Sequence, residues 1–279
     1  MTITQLPAPV VTADELEHRL SPPESLRPWI TEIAHIPTVR PEAMAFTHVP
    51  QAVTTIVLRT EESGRRDALV VGPRTRASYA NPSKPAGCTR IRLAPGASQP
   101  LLGLPAADLT NRVALLADLP GTAADLAGAL TELAPEDILP FLESELPQRL
   151  SEDRTRRDHR RLLGSAVAAM DASAPITDLA TSLAISERQL RNLFTTGIGV
   201  SPKHYARITR VRQVLSAAGG IVSAAGNTPW SHVATANGYY DQSHMTADFR
   251  SLMGVPPTAY FRGDIPAPTP CQSLTRFMN

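Results

Sequence analysis

The sequence predicts an α+β chain in which a β-rich N-terminal half precedes an all-helical C-terminal domain. Three observations lead to this fold class. Runs of β-branched and apolar residues bounded by Gly and Pro lie before residue 94. Apolar residues at helical spacing follow from residue 101 onward, and residues 176–260 contain one pattern twice. With 279 residues, the chain is also long enough for two domains.

The duplicated pattern is the strongest of these observations. Corresponding residues recur at an offset of 55, except that Leu179 corresponds to Val233 at an offset of 54. The pairs at an offset of 55 are Leu190 and Met245, Phe194 and Phe249, Gly199 and Gly254, Pro202 and Pro257, and Tyr205 and Tyr260. A repeat of this size is one supersecondary unit used twice.

The first copy has the pattern of a helix-turn-helix. Ser186, with Gln189 three positions later, has the form of a capping box, which marks the start of a helix. Leu190, Leu193 and Phe194 then give that helix an apolar stripe. We therefore expect a short helix, a tight turn and a second helix with an exposed polar face.

The second copy repeats this layout. Gly238 permits a tight turn, and Asp241 is a suitable N-cap for the helix that follows. Met245 and Phe249 are expected to face inward, whereas Ala247 and the polar residues just after the N-cap are expected on the outside.

These copies carry a resemblance to a known family. The Gly-Tyr-Tyr-Asp-Gln-Ser-His run at 238–244, followed by Phe249-Arg250 and the Gly-Val-Pro-Pro-Thr-Ala-Tyr run at 254–260, resembles the signature of AraC/XylS-type transcription regulators. The DNA-binding domain of that family has two helix-turn-helix units in tandem. The resemblance covers about residues 160–262.

The sequence departs from the family pattern in three places. Met245 stands where the family usually has Phe, Asn237 replaces an apolar residue, and the connection 219–227 between the units is longer than usual. The resemblance implies a regulator that binds double-stranded promoter DNA and contacts RNA polymerase, more often as an activator. It implies no enzymatic activity and no cofactor.

In the N-terminal half, local patterns predict both strands and helices. The strands are expected at 53–58, 68–71 and 88–93, and the helices at 105–109, 123–133 and 135–146. We expect a small antiparallel sheet or half-barrel that these helices cover, or helices that pair with a second subunit. Residues 70–76 and 92–109 resemble the cupin-like N-terminal domain of some AraC/XylS-type regulators.

These patterns divide the chain into four segments. They are a sensing or dimerisation domain at 1–150, a linker at 151–160, the tandem helix-turn-helix domain at 161–263 and a disordered tail at 264–279. The run 152–161 is polar throughout, so it fits either a solvated linker or the start of a helix.

Composition narrows the class of protein. The net charge of +1 combines −4 in residues 1–150 with +5 in residues 151–279, which favours a basic nucleic-acid-facing half. No apolar run is long enough for a membrane helix, and the first residues lack the pattern of a signal peptide, so we expect a cytoplasmic protein. Cys88 and Cys271 are far apart, which predicts neither a disulfide framework nor a zinc site.

Candidate DNA contacts lie on the outer side of the second helix of each unit. Arg can bond guanine O6 and N7, and Asn can bond adenine N6 and N7. In the first unit we expect base or phosphate contact, rather than merely solvated positions, from Arg188, Arg191 and Asn192. In the second unit we expect hydrogen bonds that mainly position the helix, from Gln242, Ser243, His244 and Arg250. A packed histidine near the N-cap is an equal alternative for His244.

The segment between the two units predicts a rigid connection. Ser201-Pro202 is an N-cap followed by Pro at the first helical position, and the helix is expected to continue to about Ala218. Such a helix would hold the two recognition helices about 34 Å apart, which is one turn of DNA. Candidate phosphate contacts on it are Lys203, Arg207, Arg210 and Arg212. Arg210 fits an internal salt bridge equally well.

Ligand candidates in the N-terminal half are less defined. His48, Arg90 and Arg92 are candidates for lining an effector pocket, and the two arginines, on one face of a strand, fit either an anionic ligand or solvent. The histidines lack the spacing of a metal-binding cupin, so no metal is predicted. Whether an effector binds and whether the chain forms a homodimer are left open.

Two other functions remain as alternatives. One is a ligand-binding module whose DNA-binding half has decayed, since the second unit is only weakly basic. The other is a regulator coupled to alkyl transfer, which would need an activated cysteine. Cys88 lies in a Gly-Cys-Thr-Arg context rather than the Pro-Cys-His-Arg context of that chemistry.

Overall fold

The computed structural model describes residues 10–12, 17–36, 45–60, 64–80, 87–150, 153–171, 176–219 and 228–267. These residues form a β-rich region followed by a helical region, which confirms the predicted α+β class. Residues 268–279 of the tail predicted to be disordered, and residues 220–227 of the connection between the units, lie outside the described residues.

The strands are short and concentrated in the N-terminal half. They are β1 (Val10–Thr12), β2 (His18–Leu20), β3 (Ile30–Ile36), β4 (Ala45–His48), β5 (Thr55–Thr60), β6 (Arg66–Val71), β7 (Ser78–Ala80), β8 (Cys88–Leu93) and β9 (Val113–Leu115). The three predicted strands correspond to β5, β6 and β8. The others are mostly three or four residues long, and β2 is exposed throughout, so they lack the apolar run that predicts a strand.

The helices begin in the middle of the chain. They are α1 (Ser98–Leu102), α2 (Ala106–Leu109), α3 (Ala127–Glu132), α4 (Ile138–Arg149), α5 (Arg154–Asp171), α6 (Ile176–Ser182), α7 (Glu187–Ile198), α8 (Pro202–Gly219), α9 (Trp230–Ala236), α10 (Gln242–Met253) and α11 (Pro257–Phe261). Two 3₁₀ turns, Leu116–Asp118 and Thr122–Leu126, lie between β9 and α3.

The described strands form two sheets. The larger sheet is antiparallel throughout, with the order β2-β3-β8-β5-β6-β9. In the smaller sheet, β4 lies between β1, which is parallel to it, and β7, which is antiparallel. One apolar core joins the larger sheet to the helices after it, with Ile30, Val70, Ile91, Leu101 and Leu142 among its buried members. The predicted covering of the sheet by these helices is therefore present.

Most of the predicted linker belongs to a helix. α5 includes residues 154–160, and its first turn is capped by Asp153, whose carboxylate accepts a hydrogen bond from the backbone N–H of Arg156 at 2.9 Å. Leu163 and Ala166 are buried, so one face of the same helix packs against the C-terminal region. Of the two alternatives for this polar run, the start of a helix is correct.

Arg160 attaches this helix to the β-rich region. Its guanidinium group donates to the Pro28 carbonyl at 2.8 Å and lies 4.5 Å above the ring of Trp29. Because a polar run can supply such contacts only through the three-dimensional fold, local sequence did not reveal that the connection is held in place.

The β-rich region also packs directly against α8 and α10. Val49 and Tyr79 are buried in the same apolar cluster as Ile208 and Phe249. Arg212, on α8, donates to the Pro50 carbonyl at 3.4 Å. The two regions therefore share part of a core.

The turn within each helix-turn-helix unit requires a positive φ. The residue in this position is Ala184 in the first unit, with φ of 53°, and Gly238 in the second, with φ of 72°. In both units the backbone N–H of the next residue donates back to the preceding helix at 3.0 Å. A side chain with a Cβ is strained in this conformation, and glycine is not.

Ala184→Gly should raise the free energy of unfolding by about 0.5–1 kcal/mol, and Gly238→Ala should lower it by about 1 kcal/mol, because the Cβ strain of the left-handed conformation outweighs the greater backbone entropy that glycine loses on folding. An added Cβ at Gly238 meets no heavy atom closer than Arg210 Cδ at 4.0 Å. Urea unfolding of each variant measures the change. In Gly128→Ala, a control within α3 with open space around the added Cβ, stability should rise instead. Equal changes in the free energy of unfolding for Gly238→Ala and Gly128→Ala would contradict the role of the positive φ.

Candidate nucleic-acid interface

The first unit presents α7 from a fixed N-terminus. The predicted capping box is present, since Ser186 Oγ accepts from Gln189 N at 3.2 Å and Gln189 Oε1 accepts from Ser186 N at 2.9 Å. Leu190 and Phe194 are buried, and the Phe194 ring packs edge-on against Tyr205 of α8 at a centroid distance of 5.7 Å. The predicted inward face of α7 is thereby confirmed.

The opposite face of α7 carries the predicted DNA-contacting side chains. Arg188, Arg191 and Asn192 are all exposed. Within the described part of the chain, neither arginine forms an ion pair with a carboxylate. Two guanidinium groups and an amide are therefore available to a partner on the N-terminal half of this helix.

The second unit repeats this arrangement with α10. Asp241 caps the helix, because its carboxylate accepts from His244 N at 2.7 Å. Met245 and Phe249 are fully buried, and Phe249 packs edge-on against Tyr260 at 5.8 Å. The exposed residues of α10 include Gln242, Ser243, His244, Ala247 and Arg250.

An ionic cluster attaches α10 to α8. Asp248, only 8% exposed, accepts a hydrogen bond from Arg207 Nε at 2.8 Å, and Arg210 Nη2 lies 3.6 Å from its other carboxylate oxygen. The Arg210 guanidinium also lies 4.8 Å from the ring centroid of Tyr239. These contacts hold the second unit against the connecting helix, and the Asp248 charge faces arginines rather than solvent.

Of the two roles that the sequence left open for His244, the structure shows the packed residue near the N-cap, and contact with DNA stays a prediction. The imidazole ring packs edge-on against Tyr239 at a centroid distance of 5.2 Å, and its Nε2 lies 4.0 Å from Asp248 Oδ2. The side chain is nevertheless 48% exposed. It is a packed residue of the N-cap region that keeps one face open to a partner.

Residues 179–263, which include most of both units, match a family model described as a helix-turn-helix domain. The C-terminal region is an AraC-type helix-turn-helix domain. Residues 18–114 match a second model, described as a domain of unknown function (DUF6597). No curated protein matches the chain.

Among solved structures, the chain is similar to ToxT from Vibrio cholerae at 12% identity, with 82% of this chain and 96% of that chain covered and a TM-score of 0.37. An apo ToxT variant gives 10% identity, coverage of 87% and 98%, and a TM-score of 0.39. Unsaturated fatty acid bound ToxT gives 10% identity, coverage of 82% and 93%, and a TM-score of 0.37. At these values the likeness is too distant to assign any residue, ligand or partner to the present chain.

The four basic candidates on α8 of the AraC-type domain differ in their surroundings. Lys203 is exposed in the first turn of the helix. Arg207 and Arg210 bind Asp248, so for Arg210 the internal salt bridge is the arrangement observed. Arg212 donates to the β-rich region. Contact of these residues with phosphate stays a prediction, and only Lys203 is presented for it without a described internal partner.

The AraC-type domain exposes one aromatic residue that the sequence pattern did not single out. Tyr240 is 90% exposed and directly precedes the N-cap Asp241. A tyrosine hydroxyl in this place can bond a phosphate oxygen at the edge of a groove. The sequence did not distinguish Tyr240 from the adjacent Tyr239, which lies in the same turn and is buried.

The structure corrects the prediction for Arg90 and Arg92. Both side chains bind the fully buried carboxylate of Glu17 at 2.8 Å, and Arg92 also pairs with Glu32. They therefore face an internal counter-charge, not solvent or an open anion site, because guanidinium groups this far from water require a carboxylate partner. His48 lies on β4 of the smaller sheet, whereas Arg90 and Arg92 lie on β8 of the larger sheet.

Cys88 begins β8, as predicted. Burial raises the pKa of its thiol, and this effect outweighs the opposing influence of Arg90. Among the described residues, no group of His, Cys, Asp and Glu side chains is arranged to hold a metal ion. Within the same residues, no helix has the length and apolar character needed to cross a membrane.

Asp248→Asn should lower the free energy of unfolding by about 2 kcal/mol, because two arginines then lose a nearly buried counter-charge, an effect between those of exposed and fully buried ion pairs. Chemical unfolding at neutral pH measures it. The matched control is Asp158→Asn, whose carboxylate lies 3.9 Å from two arginines on the exposed side of α5. If Asp248→Asn lowers the free energy of unfolding no more than Asp158→Asn does, the ionic cluster contributes no stability.

His204, in the first turn of α8, is half-buried against the β-rich region. Burial lowers the pKa of its imidazole below the ordinary value of 6.5, and the charge of Arg207 lowers it further, whereas a hydrogen bond with the Thr75 backbone and the charge of Asp248 act in the opposite direction. The unfolded chain therefore binds this proton more readily than the folded chain does. The part of the folding stability that depends on neutral His204 is present above pH 6.5. It is lost as the pH falls from there toward the lowered pKa of this imidazole.

His204→Gln should remove part of the loss of stability between about pH 7.5 and pH 5, because glutamine does not titrate. Unfolding free energies of the variant and the natural chain at both pH values give the difference. His232→Gln, at an exposed position of α9, is the control for the chemical change itself. Identical pH dependence in all three proteins would contradict the proposed burial of the imidazole.

Proposed function

We propose that the chain is a sequence-specific DNA-binding transcription regulator, an activator, whose helices α7 and α10 enter adjacent major grooves of promoter DNA. The repeated geometry of the two units supports this most. Each helix begins at an N-cap, buries an apolar stripe over an aromatic pair and exposes a polar N-terminal half. Helices presented in this way insert into the major groove in helix-turn-helix proteins.

The two helices contribute differently in this proposal. α7 provides most of the base readout through Arg188, Arg191 and Asn192, since arginine and asparagine can bond purines bidentately. α10 has no exposed cation before Arg250, so its Gln242 and Ser243 position the domain through hydrogen bonds. Phosphate contacts come from exposed groups at the edges of the units, among them Lys203 and Tyr240.

The β-rich region supplies the regulatory half of this proposal. It binds a small-molecule effector or a second copy of the chain. RNA polymerase, in the cytoplasm, is the partner that the DNA-bound regulator contacts. The shared core around Tyr79 and Phe249 supports such a role, because a change in the β-rich region reaches the second unit through packed side chains.

The alternatives receive less support from the geometry. A decayed DNA-binding half would have no reason to keep both N-caps, both buried stripes and two exposed arginines on one helix. Alkyl transfer needs a thiol whose pKa is lowered, and burial raises the pKa of Cys88. We therefore retain the regulator as the function to be tested.

Arg191→Ala should weaken binding to the preferred DNA site by about 1–3 kcal/mol and relax base preference at one position. Selection from a random DNA pool with the full chain supplies the site, and gel-shift titration compares it with random DNA. Arg149→Ala, an exposed arginine on α4, is the control. Equal losses of affinity for the selected site and for random DNA would show that Arg191 contacts only the DNA backbone. If the natural chain enriches no sequence from the pool, the proposed function is refuted.

A further inference from the structure

The end of α7 is held by the β-rich region. The last four carbonyl groups of a helix lack partners within it, and Gly197 O accepts a hydrogen bond from Gly96 N at 3.0 Å. Just beyond the helix, Thr110 Oγ1 lies 2.8 Å from Gly199 O, the shorter of its two contacts. Gly199 has φ of 90°, and an added Cβ would lie 2.5 Å from Thr110 Oγ1 and 2.8 Å from Pro73 Cγ. The two regions therefore meet here at backbone distance.

The end of α10 is held in the same manner by a neighbouring segment. Ala77 N donates to Leu252 O at 2.8 Å, and the Tyr79 hydroxyl donates to Met253 O. Both acceptors belong to the last turn of the helix, where carbonyl groups need partners from outside. Tyr79 is buried, and burial raises its pKa, so the phenol remains a donor.

Asn111 joins these two holding points to each other. Its backbone N–H donates to Pro73 O at 2.8 Å, and its side-chain oxygen accepts from Thr75 N at 2.9 Å. Thr110, which contacts the end of α7, directly precedes Asn111 in the chain. Thr75 is followed closely by residues 77–79, which contact the end of α10. Asn111 has φ of 58°, a conformation that asparagine tolerates better than most residues. A short hydrogen-bonded path thus connects the ends of the two helices.

Each helix is attached at a second point nearer its middle. Phe194 of α7 packs on Tyr205 of α8, and Asp248 of α10 binds Arg207 of α8. A helix attached at one point can pivot about it, whereas attachment at two points also fixes its direction. The helices of each unit pack along the sides of α7 and α10, and the β-rich region holds the C-terminal end of each of these two helices.

We propose that segments 73–79 and 110–111, here called the brace, set the separation and direction of α7 and α10 and so determine which spacing of DNA half-sites the chain accepts. Tyr79, Thr110 and Asn111 are positioning residues in this role, since they act through the ends of α7 and α10. The effect on half-site spacing rests on the proposed function. The effect on helix geometry does not, so the two can be tested separately.

The geometry is tested without DNA by a distance measurement. Nitroxide labels on Arg188→Cys and Ser243→Cys, in a Cys271→Ser background, report the distance between the exposed starts of α7 and α10 by pulsed electron resonance. Cys88, which is partly exposed, is changed to Ala in all samples, so that only the two introduced cysteines carry labels. One narrow distance distribution is expected for the otherwise natural chain.

The brace variants are Tyr79→Phe and Thr110→Val, which each remove one hydroxyl with little change of shape, and Asn111→Gly, which keeps the positive φ and removes the amide. Each should shift the distribution or broaden it about twofold, because the hydrogen-bonded path that holds the ends of the two helices is then interrupted. Controls that also remove one hydroxyl are Thr131→Val in α3 and Ser144→Ala in α4, whose hydroxyls donate to carbonyl groups of their own helices. Unchanged distributions in all three brace variants would overturn the proposal.

Half-site spacing is then tested on DNA selected from a random pool and on a copy with one base pair inserted between the half-sites. The natural chain and the controls should lose about tenfold or more in affinity on the altered spacing, and the brace variants less than about threefold. Equal weakening on both DNAs would show a merely structural role for the brace and overturn its part in spacing. Failure of the natural chain to select any DNA would refute the proposed function and leave the distance measurement to decide the geometry.

Discussion

Burial of one phenylalanine beneath the second helix of each unit is the constraint on which the candidate interface depends. Phe194 and Phe249 are fully buried, and each packs edge-on against a tyrosine of the following helix. Because an α-helix repeats every 3.6 residues, fixing one face inside determines which residues lie outside. The exposed arginines of α7 and the exposed polar residues of α10 are thus a consequence of how the core is filled.

The same constraint acts across the boundary between the two regions. Tyr79 of the β-rich region lies in the cluster that contains Phe249, and Arg160 of α5 lies against Trp29. A change in the β-rich region therefore alters packing around the helical units without passing through a flexible tether. Packed interfaces tend to have discrete arrangements, which makes this boundary a suitable place for regulation.

The sequence predicted those features whose cause is local. The two capped helices, α8 and the strands β5, β6 and β8 each carry their signal within a few consecutive residues. β3 was missed, because its Glu32 and His35 interrupt the apolar pattern and find their partners, Arg92 and Thr89, on another strand. The pairing of Glu17 with Arg90, and of Arg207 with Asp248, joins residues 73 and 41 positions apart. Such pairs depend on the final fold, so no local pattern could reveal them or the contacts that hold the ends of α7 and α10.

The internal pairing of Arg207 and Arg210 also affects how ions respond when DNA binds. Arg207 and Arg210 share the charge of Asp248, so together they would displace fewer counterions from a phosphate backbone than Arg188 and Arg191, for which the described residues supply no carboxylate partner. Ionic strength would then act unequally along a bound site. If α7 and α10 enter adjacent grooves as proposed, the half-site under α7 would weaken first as salt rises, and the half-site under α10, held mainly through neutral hydrogen bonds, would change less.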